Sequence, residues 1–297
     1  MADDYSPTPP PQRRIASIKK FIRKRLPHWA VLIRWHRNTL GAFPNIVNPV
    51  TFNDKVLHRN LFDRRALLTQ FADKAAVRAY VRSRLGPDIL PRLYCLTTRP
   101  DAIPFDDLPD RFVVKPTHAS GWVQLVTNKA TLDRAALIAL REDWLKRSYY
   151  EEQWEQVYKH VEPRIIVEEF IDDGSGAALN DFKLFVFDGT VEMIQVDVGR
   201  FTDHRRRLYS PAWEKLDVCY GYDDVRGDMP RPRHLAEMIA AAETLGRDVD
   251  FVRADFYDTP ARLYFGELTL TPEGGRGRFH PNDFDRYLGE RWKIRTR

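Results

Sequence analysis

The sequence predicts an α+β protein with antiparallel sheets, and three observations support this fold class. Predicted strands come in pairs, and the helices between these pairs follow no regular βαβ period. Residues 180–198, NDFKLFVFDGTVEMIQVDV, are two apolar runs joined by Asp188 and Gly189, a dipeptide typical of tight hairpin turns. Residues 251–258 and 262–270 form a second pair of runs around a short turn that contains proline.

The other elements follow from local patterns. Asn53 is the expected N-cap of an early helix, and residues 73–85 predict an amphipathic helix that ends before a glycine and a proline. Further along, the patterns predict a buried strand ending at Lys115, a helix capped by Thr131 or Asp133, a strand at 164–171 and a helix at 234–246 that stops at Gly246.

Bulk composition narrows the class of protein. The chain has 297 residues, of which 43% are hydrophobic and 30% charged, as expected for a soluble protein with one large or two to three small domains. Its two cysteines, Cys95 and Cys219, lack both Cys-x-x-Cys and Cys/His ligand spacing. This pattern supports neither a disulfide framework nor a zinc site, and it favours a reducing, cytoplasmic location.

The net charge of +5 is concentrated at the N-terminus. No acidic residue lies between Asp4 and Asp54, a stretch with nine lysines and arginines, whereas residues 54–297 hold 38 basic and 40 acidic residues. The near-neutral body argues against a nucleic-acid-binding surface, and the basic arm, residues 1–50, predicts an interaction segment. Its start is unlike a secretory signal, and the apolar run at 30–35 is too short to cross a bilayer.

Two interpretations of the arm remain open. Residues 15–26 place Ile15, Ile18, Ile22 and Leu26 on one helical face among basic side chains. Such a helix can lie on an anionic membrane, so residues 12–37 would make a peripheral contact at its inner face. Alternatively, the helix packs its apolar face on the body and leaves its charges in water.

Two lone acids interrupt the apolar runs near the C-terminus. Asp255 and Glu267 each stand where a core residue fits, and an unpaired buried carboxylate is costly. On adjacent antiparallel strands they would face each other, which predicts a cation between them, and Mg²⁺ prefers such oxygen ligands. Arg253 and Thr269 share their faces by strand alternation. The alternative is a structural ion pair between Arg253 and Glu267.

Lysines earlier in the chain suit phosphate binding. Lys115 ends a strand just before the small-residue loop HASGW, where backbone amides and an ammonium group can hold a phosphate. The spacing of a P-loop is absent. Lys74 is a weaker candidate of the same kind.

The order of these motifs resembles the ATP-grasp superfamily. Between about residues 70 and 280 their succession is similar to that of D-alanine–D-alanine ligases. The stretches FNDK, ADKAAVRAYV, FVVKPTHASG, NDFKLFVFDG, RADFYD and FGELTLTPEGG most resemble the TupA-like branch, which is associated with teichuronopeptide and other surface-glycan biosynthesis. The resemblance implies two α+β subdomains with antiparallel sheets that clamp ATP. The implied boundaries are 1–50 for the basic arm, 51–110 for an N-terminal lobe, 111–178 for the small subdomain and 179–297 for the C-terminal subdomain with the metal site.

The resemblance also implies roles for individual residues. Lys74 and Lys115 would contact ATP phosphates, and the loop 118–122, with Ser120 and Gly121, would close over them as a lid. The other implied nucleotide contacts are the hinge residues Glu168, Glu169, Phe170 and Ile171, Asp181 at the ribose hydroxyls, and Lys183. For Mg²⁺ the implied ligands are Asp255, Glu267 and Thr269, although the superfamily usually has asparagine where Thr269 stands.

The implied catalytic residues are all basic. Arg253 would stabilise the oxyanion of an acyl-phosphate and of its tetrahedral successor. Arg200 and His204 open a basic segment that also holds residues 205–207, and they would bind the γ-phosphate or an anionic acceptor; the alternative is a solvated loop. The glycine-rich stretch 272–279 would receive the product or be a plain turn.

The implied activity is that of an ATP-dependent carboxylate–amine ligase with ATP and Mg²⁺. Its carboxylate would be a sugar acid of a surface glycan and its amine an amino acid. Two alternatives remain: a kinase that phosphorylates a sugar hydroxyl, and a non-catalytic, membrane-associated ATP-binding protein.

Overall fold

Two antiparallel sheets organise the chain, which confirms the predicted α+β fold class. The computed structural model describes residues 27–174, 179–200 and 202–295. The basic helix predicted at 15–26 lies outside these residues. None of the helices in the three described segments combines the length and apolarity that crossing a bilayer needs.

Four helices precede the first sheet. They are α1 (His28–Leu40), α2 (Phe52–Phe62), α3 (Ala66–Ala72) and α4 (Ala76–Leu85). The prediction that Asn53 caps α2 is wrong, because Thr51 is the N-cap and forms a capping box with Asp54. The side chain of Asn53 instead donates to the carbonyl of Gly277 at 2.8 Å and to Asp285 at 2.9 Å. Asn53 therefore ties α2 to the C-terminal segment.

The smaller sheet has four strands in the order β1-β4-β2-β3. Its strands are β1 (Leu93–Thr97), β2 (Phe112–Pro116), β3 (Gln124–Val126) and β4 (Ile165–Glu169). Between β3 and β4 lie α5 (Arg134–Lys146) and α6 (Tyr149–Gln153). Asp133 caps α5, since its side chain accepts from the amide of Ala136, which decides between the two predicted caps. The sheet takes strands from both sides of the boundary predicted at residue 110.

The larger sheet has five strands in the order β10-β9-β5-β6-β7. They are β5 (Asp181–Phe187), β6 (Thr190–Val198), β7 (Arg205–Tyr209), β9 (Phe251–Asp258) and β10 (Leu263–Thr269). The hairpin predicted between β5 and β6 is confirmed, with positive φ at both Asp188 and Gly189. A short pair, β8 (Cys219–Tyr220) and β11 (Phe279–His280), and the helices α7 (Leu235–Gly246) and α8 (Asp283–Arg291) complete the fold.

Helix α7 covers one face of the larger sheet and ends at Gly246, as predicted. The physical reason differs from a left-handed cap. A Cβ at Gly246 would lie 2.5 Å from the Cγ1 of Val186, so only glycine lets the helix end approach β5. On this face Leu184, Ala254 and Phe256 are fully buried in the main core. The opposite face of the sheet is consequently the one available to polar residues.

Candidate active site

A charged row crosses the polar face of the larger sheet. Glu267 on β10 pairs directly with Asp255 on β9, and Asp255 pairs with Lys183 on β5. One step along the strands, Asp181 pairs with Asp197 on β6. Asp255 and Glu267, which were expected to face each other across neighbouring strands, do so. With Lys183 the row extends over three strands, because side chains at paired positions of neighbouring strands lie on the same face of the sheet.

Both oxygens of Asp255 are occupied by cationic donors. Arg253 donates from Nε to Oδ1 and from Nη2 to Oδ2, each at 2.8 Å, and Lys183 Nζ donates to Oδ2 at 2.8 Å. Asp255 is only 4% exposed, so the three side chains form a sealed ionic cluster. Paired Arg–carboxylate bonds of this kind fix the orientation of both groups.

Glu267 is bound more loosely. Its Oε1 accepts from the hydroxyl of Thr269 at 3.0 Å, and that hydroxyl accepts from Arg253 at 3.0 Å. The direct distance from Arg253 Nη2 to Glu267 is 3.6 Å, and 34% of the glutamate side chain remains exposed. The ion pair considered as the structural alternative is therefore present in a long form, and it leaves carboxylate oxygen accessible.

Surrounding cations determine the charge of Glu267. Burial alone would raise the pKa of its carboxyl, but the positive charges of Lys74, Arg253, Lys183 and Arg200 outweigh burial and lower the pKa to about 2. Glu267 is thus ionised throughout the physiological range. An exposed, ionised carboxylate beside a sealed one is suited to bind a further cation.

Lys115 on β2 and Glu168 on β4 form an ion pair between the two central strands of the smaller sheet. Lys115 Nζ lies 3.2 Å from Glu168 Oε2, while Arg78 holds the other oxygen of Glu168 at 2.5 Å. The carboxylate of Glu168 is 9% exposed, so it orients Lys115 and has little surface for an adenine ring. The implied contact of Glu168 with adenine remains a prediction, and it requires the carboxylate to leave Lys115 or Arg78.

A cavity of about 190 Å³ lies between the two sheets. The smaller sheet and the hinge contribute an apolar wall with Val113, Leu125, Phe170 and Ile171. The facing wall is charged. Among the residues implied as site residues, those that line this cavity are Lys74, Lys115, Gly121, Glu169, Phe170, Ile171, Asp181, Lys183, Arg200, Asp255 and Glu267. Ser120, Glu168, His204, Arg253 and Thr269 lie outside this lining.

The loop 118–122 packs against α5 and the segment that follows it. His118 Nε2 lies 3.1 Å from the carbonyl of Trp144, and Arg147 stacks 4.0 Å over the ring of Trp122. Ser120 faces the phenol group of Tyr149. The loop implied to be a lid is therefore anchored on its outer side, with Gly121 towards the cavity.

In the basic segment after β6, Arg200 is only loosely paired and lines the cavity, whereas the three arginines at 205–207 form shorter ion pairs. Arg200 Nη1 lies 3.4 Å from Asp181 and lines the cavity, with 42% of its side chain exposed. The ring of His204 packs against that of Tyr222, with the centroids 4.0 Å apart and the planes tilted by 40°, and it lies 3.6 Å from Asp197. The three arginines are engaged in ion pairs: Arg205 with Asp203, Arg206 with Asp197, and Arg207 with Asp224. Arg200 is thus the member of the segment that is placed to meet a ligand.

Sequence reasoning missed a second ionic cluster beside the first. Asp197 accepts from Gln195 at 3.0 Å and from Arg206 at 2.6 Å, and it lies 4.0 Å from Lys183. Burial favours a higher pKa for Asp197, but Arg206 outweighs it and the pKa is lowered. Gln195 and Asp197 alternate with apolar residues on β6, opposite Lys183 and Asp181 across the hairpin. Projecting the hairpin register from the sequence would have found them.

The glycine-rich stretch after β10 turns back onto α2. Glu273 and Gly275 have positive φ, and a Cβ on Gly275 would lie 2.8 Å from the carbonyl of Asn53. Glu273 lies 3.2 Å from Arg206. These contacts are those of a packed turn, and a role in receiving product remains a prediction.

The side chains at this site fit one metal ion whose coordination shell is completed by phosphate oxygens. In the three described segments, no group of three or more His, Cys, Asp or Glu side chains is arranged to hold a metal. Asp255 and Glu267 supply two carboxylates on adjacent strands, and Thr269 supplies a hydroxyl beside them. Mg²⁺ commonly takes one or two carboxylates and completes its shell with water and phosphate oxygens, so this pair is sufficient.

Comparison with known proteins gives the following matches. Residues 54–293 match the family described as TupA-like ATPgrasp. The D-alanine–D-alanine ligase from Bacillus anthracis complexed with ATP is 17% identical, with a TM-score of 0.40. The match covers 67% of this chain and 53% of the ligase. The RimK domain ATP-grasp protein from Sphaerobacter thermophilus is 14% identical with a TM-score of 0.42, covering 83% and 72%. The ATP-grasp ligase PsnB in complex with a precursor variant, Mg and ADP is 14% identical with a TM-score of 0.40, covering 75% and 58%.

The family match settles the assignment of the fold. This chain spans little more than half the length of the Bacillus anthracis ligase, and none of the curated proteins compared with it matches. The matched residues, in contrast, include both sheets and every implied nucleotide and metal residue. The chain belongs to the TupA-like ATP-grasp family, as its motifs indicated.

Proposed function

We propose that this protein is an ATP-dependent carboxylate–amine ligase that forms an amide through an acyl-phosphate. The observation that carries the proposal is the facing pair Asp255 and Glu267, which lies in one cavity with Lys74, Lys115 and Lys183. Two carboxylates and three ammonium groups around a cavity with an apolar wall match the needs of a magnesium–nucleotide complex.

Each part of the nucleotide has a proposed place. Phe170 and Ile171 would sandwich or flank the adenine ring on the apolar wall, and Asp181 would accept from the ribose hydroxyls. Lys74 and Lys115 would bind phosphate oxygens, together with Lys183 on the sheet. When bound to Asp255 and Glu267, Mg²⁺ supplies neutralisation of charge on the β- and γ-phosphates.

The proposed reaction has two steps. A carboxylate oxygen of the first substrate attacks the γ-phosphorus, and the bond to ADP breaks. An uncharged amine then attacks the acyl carbon, phosphate leaves, and the amine nitrogen loses a proton to give the amide. The chain's contribution is positioning and charge stabilisation, so no covalent nucleophile is needed.

Among the proposed catalytic cations, Arg200 has the better position. The guanidinium of Arg253 is committed to Asp255 and Thr269, so its main effect is to hold the two acids in place. Arg200 faces the cavity beside Asp181. We therefore assign Arg200 to the substrate carboxylate or γ-phosphate, with Arg253 reaching the oxyanion only if it releases Thr269.

We further propose a sugar acid of a surface glycan as the carboxylate substrate and an amino acid as the amine. Support comes from the TupA-like family match and from Arg200, a cation suited to an anionic acceptor. The test is an ADP-release screen of uronate-containing oligosaccharides and nucleotide-sugar uronates against amino acids, with products identified by mass. An amide with free phosphate supports the proposal, whereas a phosphate ester would identify a kinase. MgATP binding with no turnover on any pair would favour a non-catalytic protein.

A peripheral contact with an anionic membrane through residues 12–37 completes the proposal, on an otherwise cytoplasmic protein. Leu32 packs α1 on α2, whereas Trp29 on α1 is 52% exposed and Phe43, shortly after the helix, is 68% exposed. Arg37 stacks over Phe43 at 4.6 Å. Aromatic and basic side chains together favour a lipid interface. Trp29→Ser with Phe43→Ser should reduce co-sedimentation with phosphatidylserine vesicles; unchanged sedimentation contradicts this part alone.

A further inference from the structure

Asp255 presents no carboxylate oxygen that lacks a cationic partner. Arg253 grips both oxygens at 2.8 Å, and Lys183 adds a third charged donor at 2.8 Å. A divalent ion that enters from the cavity meets an acid whose charge is already neutralised. Glu267, with its accessible oxygen, is the remaining acid of the pair.

Lys183 differs from Arg253 in its freedom to leave. Its ammonium makes a single short contact, whereas the guanidinium of Arg253 is fixed by two bonds to Asp255 and one to Thr269. The ammonium also lies 4.0 Å from both Asp181 and Asp197, so other acids can share its charge. Lys183 lines the cavity in which the phosphates are proposed to lie. Because the lysine side chain is a flexible stem of four carbons, its ammonium can move from one acid to another at a low cost in free energy.

We propose that Lys183 is a built-in counter-cation that occupies Asp255 until nucleotide phosphates arrive, so that the site takes up a divalent metal only together with nucleotide. This rests on the proposed function, because it assumes that phosphates lie in the cavity. Lys183 then moves from Asp255 towards a phosphate oxygen and frees one carboxylate oxygen for the metal. The ion pair between Lys183 and Asp255 thus acts as an interlock, meaning that it prevents Mg²⁺ from binding in the absence of nucleotide.

Mn²⁺ binding without nucleotide tests the interlock. The probe is Mn²⁺ alone, measured by the loss of its free electron paramagnetic resonance signal, on wild type and Lys183→Met. The variant removes a like charge a few ångströms from the metal position, so its Mn²⁺ affinity should rise on the order of tenfold or more. Its affinity for Mg·AMPPNP should fall, because a phosphate contact is lost. A merely structural lysine would weaken both.

Two controls isolate the charge. Lys183→Arg keeps the cation and should bind free Mn²⁺ as weakly as wild type. Lys215→Met removes a lysine that pairs with Asp224 at the same distance of 2.8 Å but does not line the cavity, and it should change neither measurement. Lys183→Gln, which keeps a donor to Asp255 without its charge, serves if the methionine variant melts too early.

The outcomes separate this inference from the proposed function. Wild-type protein that binds Mn²⁺ equally tightly with and without AMPPNP overturns the interlock, and that measurement needs no variant. No gain in Lys183→Met and Lys183→Gln also overturns it while Mg·AMPPNP binding by wild type leaves the ligase proposal intact. Wild type that binds no Mg·AMPPNP overturns the nucleotide site and, with it, the inference.

Discussion

Two carboxylates near the same pair of strands have the same depressed pKa but different surroundings. Asp250 lies just before β9, and Glu267 lies on β10. Burial raises the pKa of each, but Arg59, Trp292 and Arg65 around Asp250, and the cations around Glu267, outweigh burial and hold both values at about 2. A depressed pKa therefore does not by itself distinguish a structural acid from a ligand-binding one.

What separates the two acids is their remaining capacity for ligands. Asp250 is 1% exposed and accepts from Arg59, Arg65, the indole of Trp292 and the amide of Arg295, at 2.6 to 3.1 Å. Glu267 keeps a third of its side chain exposed and receives only a hydroxyl at hydrogen-bond distance. Asp250, whose hydrogen-bond acceptors are all used, stabilises the fold. Glu267, which lies at the cavity with acceptor capacity left, can bind a ligand.

The largest expected effect is the loss of stability when the coordinated acid is neutralised. Asp250→Asn leaves the buried guanidinium of Arg59 without its counter-charge and should lower the free energy of unfolding by about 3 kcal/mol or more. Urea denaturation measures it. Asp248→Asn, at a half-exposed ion pair with Arg84, is the matched control and should cost less than about 1 kcal/mol. Equal losses in the two variants would contradict the distinction.

Glu267→Gln should have the opposite effect, a small loss of stability and a large loss of affinity for Mg·AMPPNP. Because a third of this side chain is exposed, solvent screens its cations, and the unfolding free energy should fall by less than it does in Asp250→Asn. Affinity for Mg·AMPPNP should fall on the order of 10- to 100-fold, the usual scale for altering a metal shell. Calorimetric titration against Asp248→Asn provides the measurement. A variant that binds as wild type would remove Glu267 from the metal site.

The pH dependence of the free energy of unfolding tests the contribution of Asp250 directly. The folded pKa of Asp250, about 2, lies below its ordinary value of 3.8. Its stabilisation is therefore fully present above pH 4 and is lost as pH falls towards 2. By linkage about 2 kcal/mol is at stake, with on the order of 1 kcal/mol lost by pH 3. The difference in unfolding free energy between wild type and Asp250→Asn should shrink accordingly between pH 5 and pH 3; a constant difference would contradict it.

Local patterns predicted much of the fold and the centre of the site. Strand alternation placed Arg253 beside Asp255 and Thr269 beside Glu267, and the hairpin at Asp188 followed from its turn residues. These features depend on neighbours within a few residues, or on two strands joined by a short turn. The sequence carries such information directly.

Pairings over long chain distances were not predictable in the same way. Asn53 resembled a cap, but its partner Asp285 lies 232 positions away. Residues 205–207 resembled a free basic patch until their acids were located, among them Asp224 in a separate loop. No local pattern shows which acid a given arginine will meet, so the position of Arg200 at the cavity became evident only in the folded chain.

The smallest expected effect concerns Thr269, where the superfamily usually has asparagine. Its hydroxyl relays a hydrogen bond from Arg253 to Glu267, so it positions the acid even when it does not touch metal. Thr269→Val should break the relay and weaken Mg·AMPPNP binding a few-fold, about 1 kcal/mol. Thr269→Asn offers a stronger oxygen ligand and should tighten Mg²⁺-dependent binding by a similar factor while AMPPNP binding without metal stays constant. If both variants weaken binding equally with and without Mg²⁺, Thr269 acts only in packing, and the open coordination belongs to Glu267 alone.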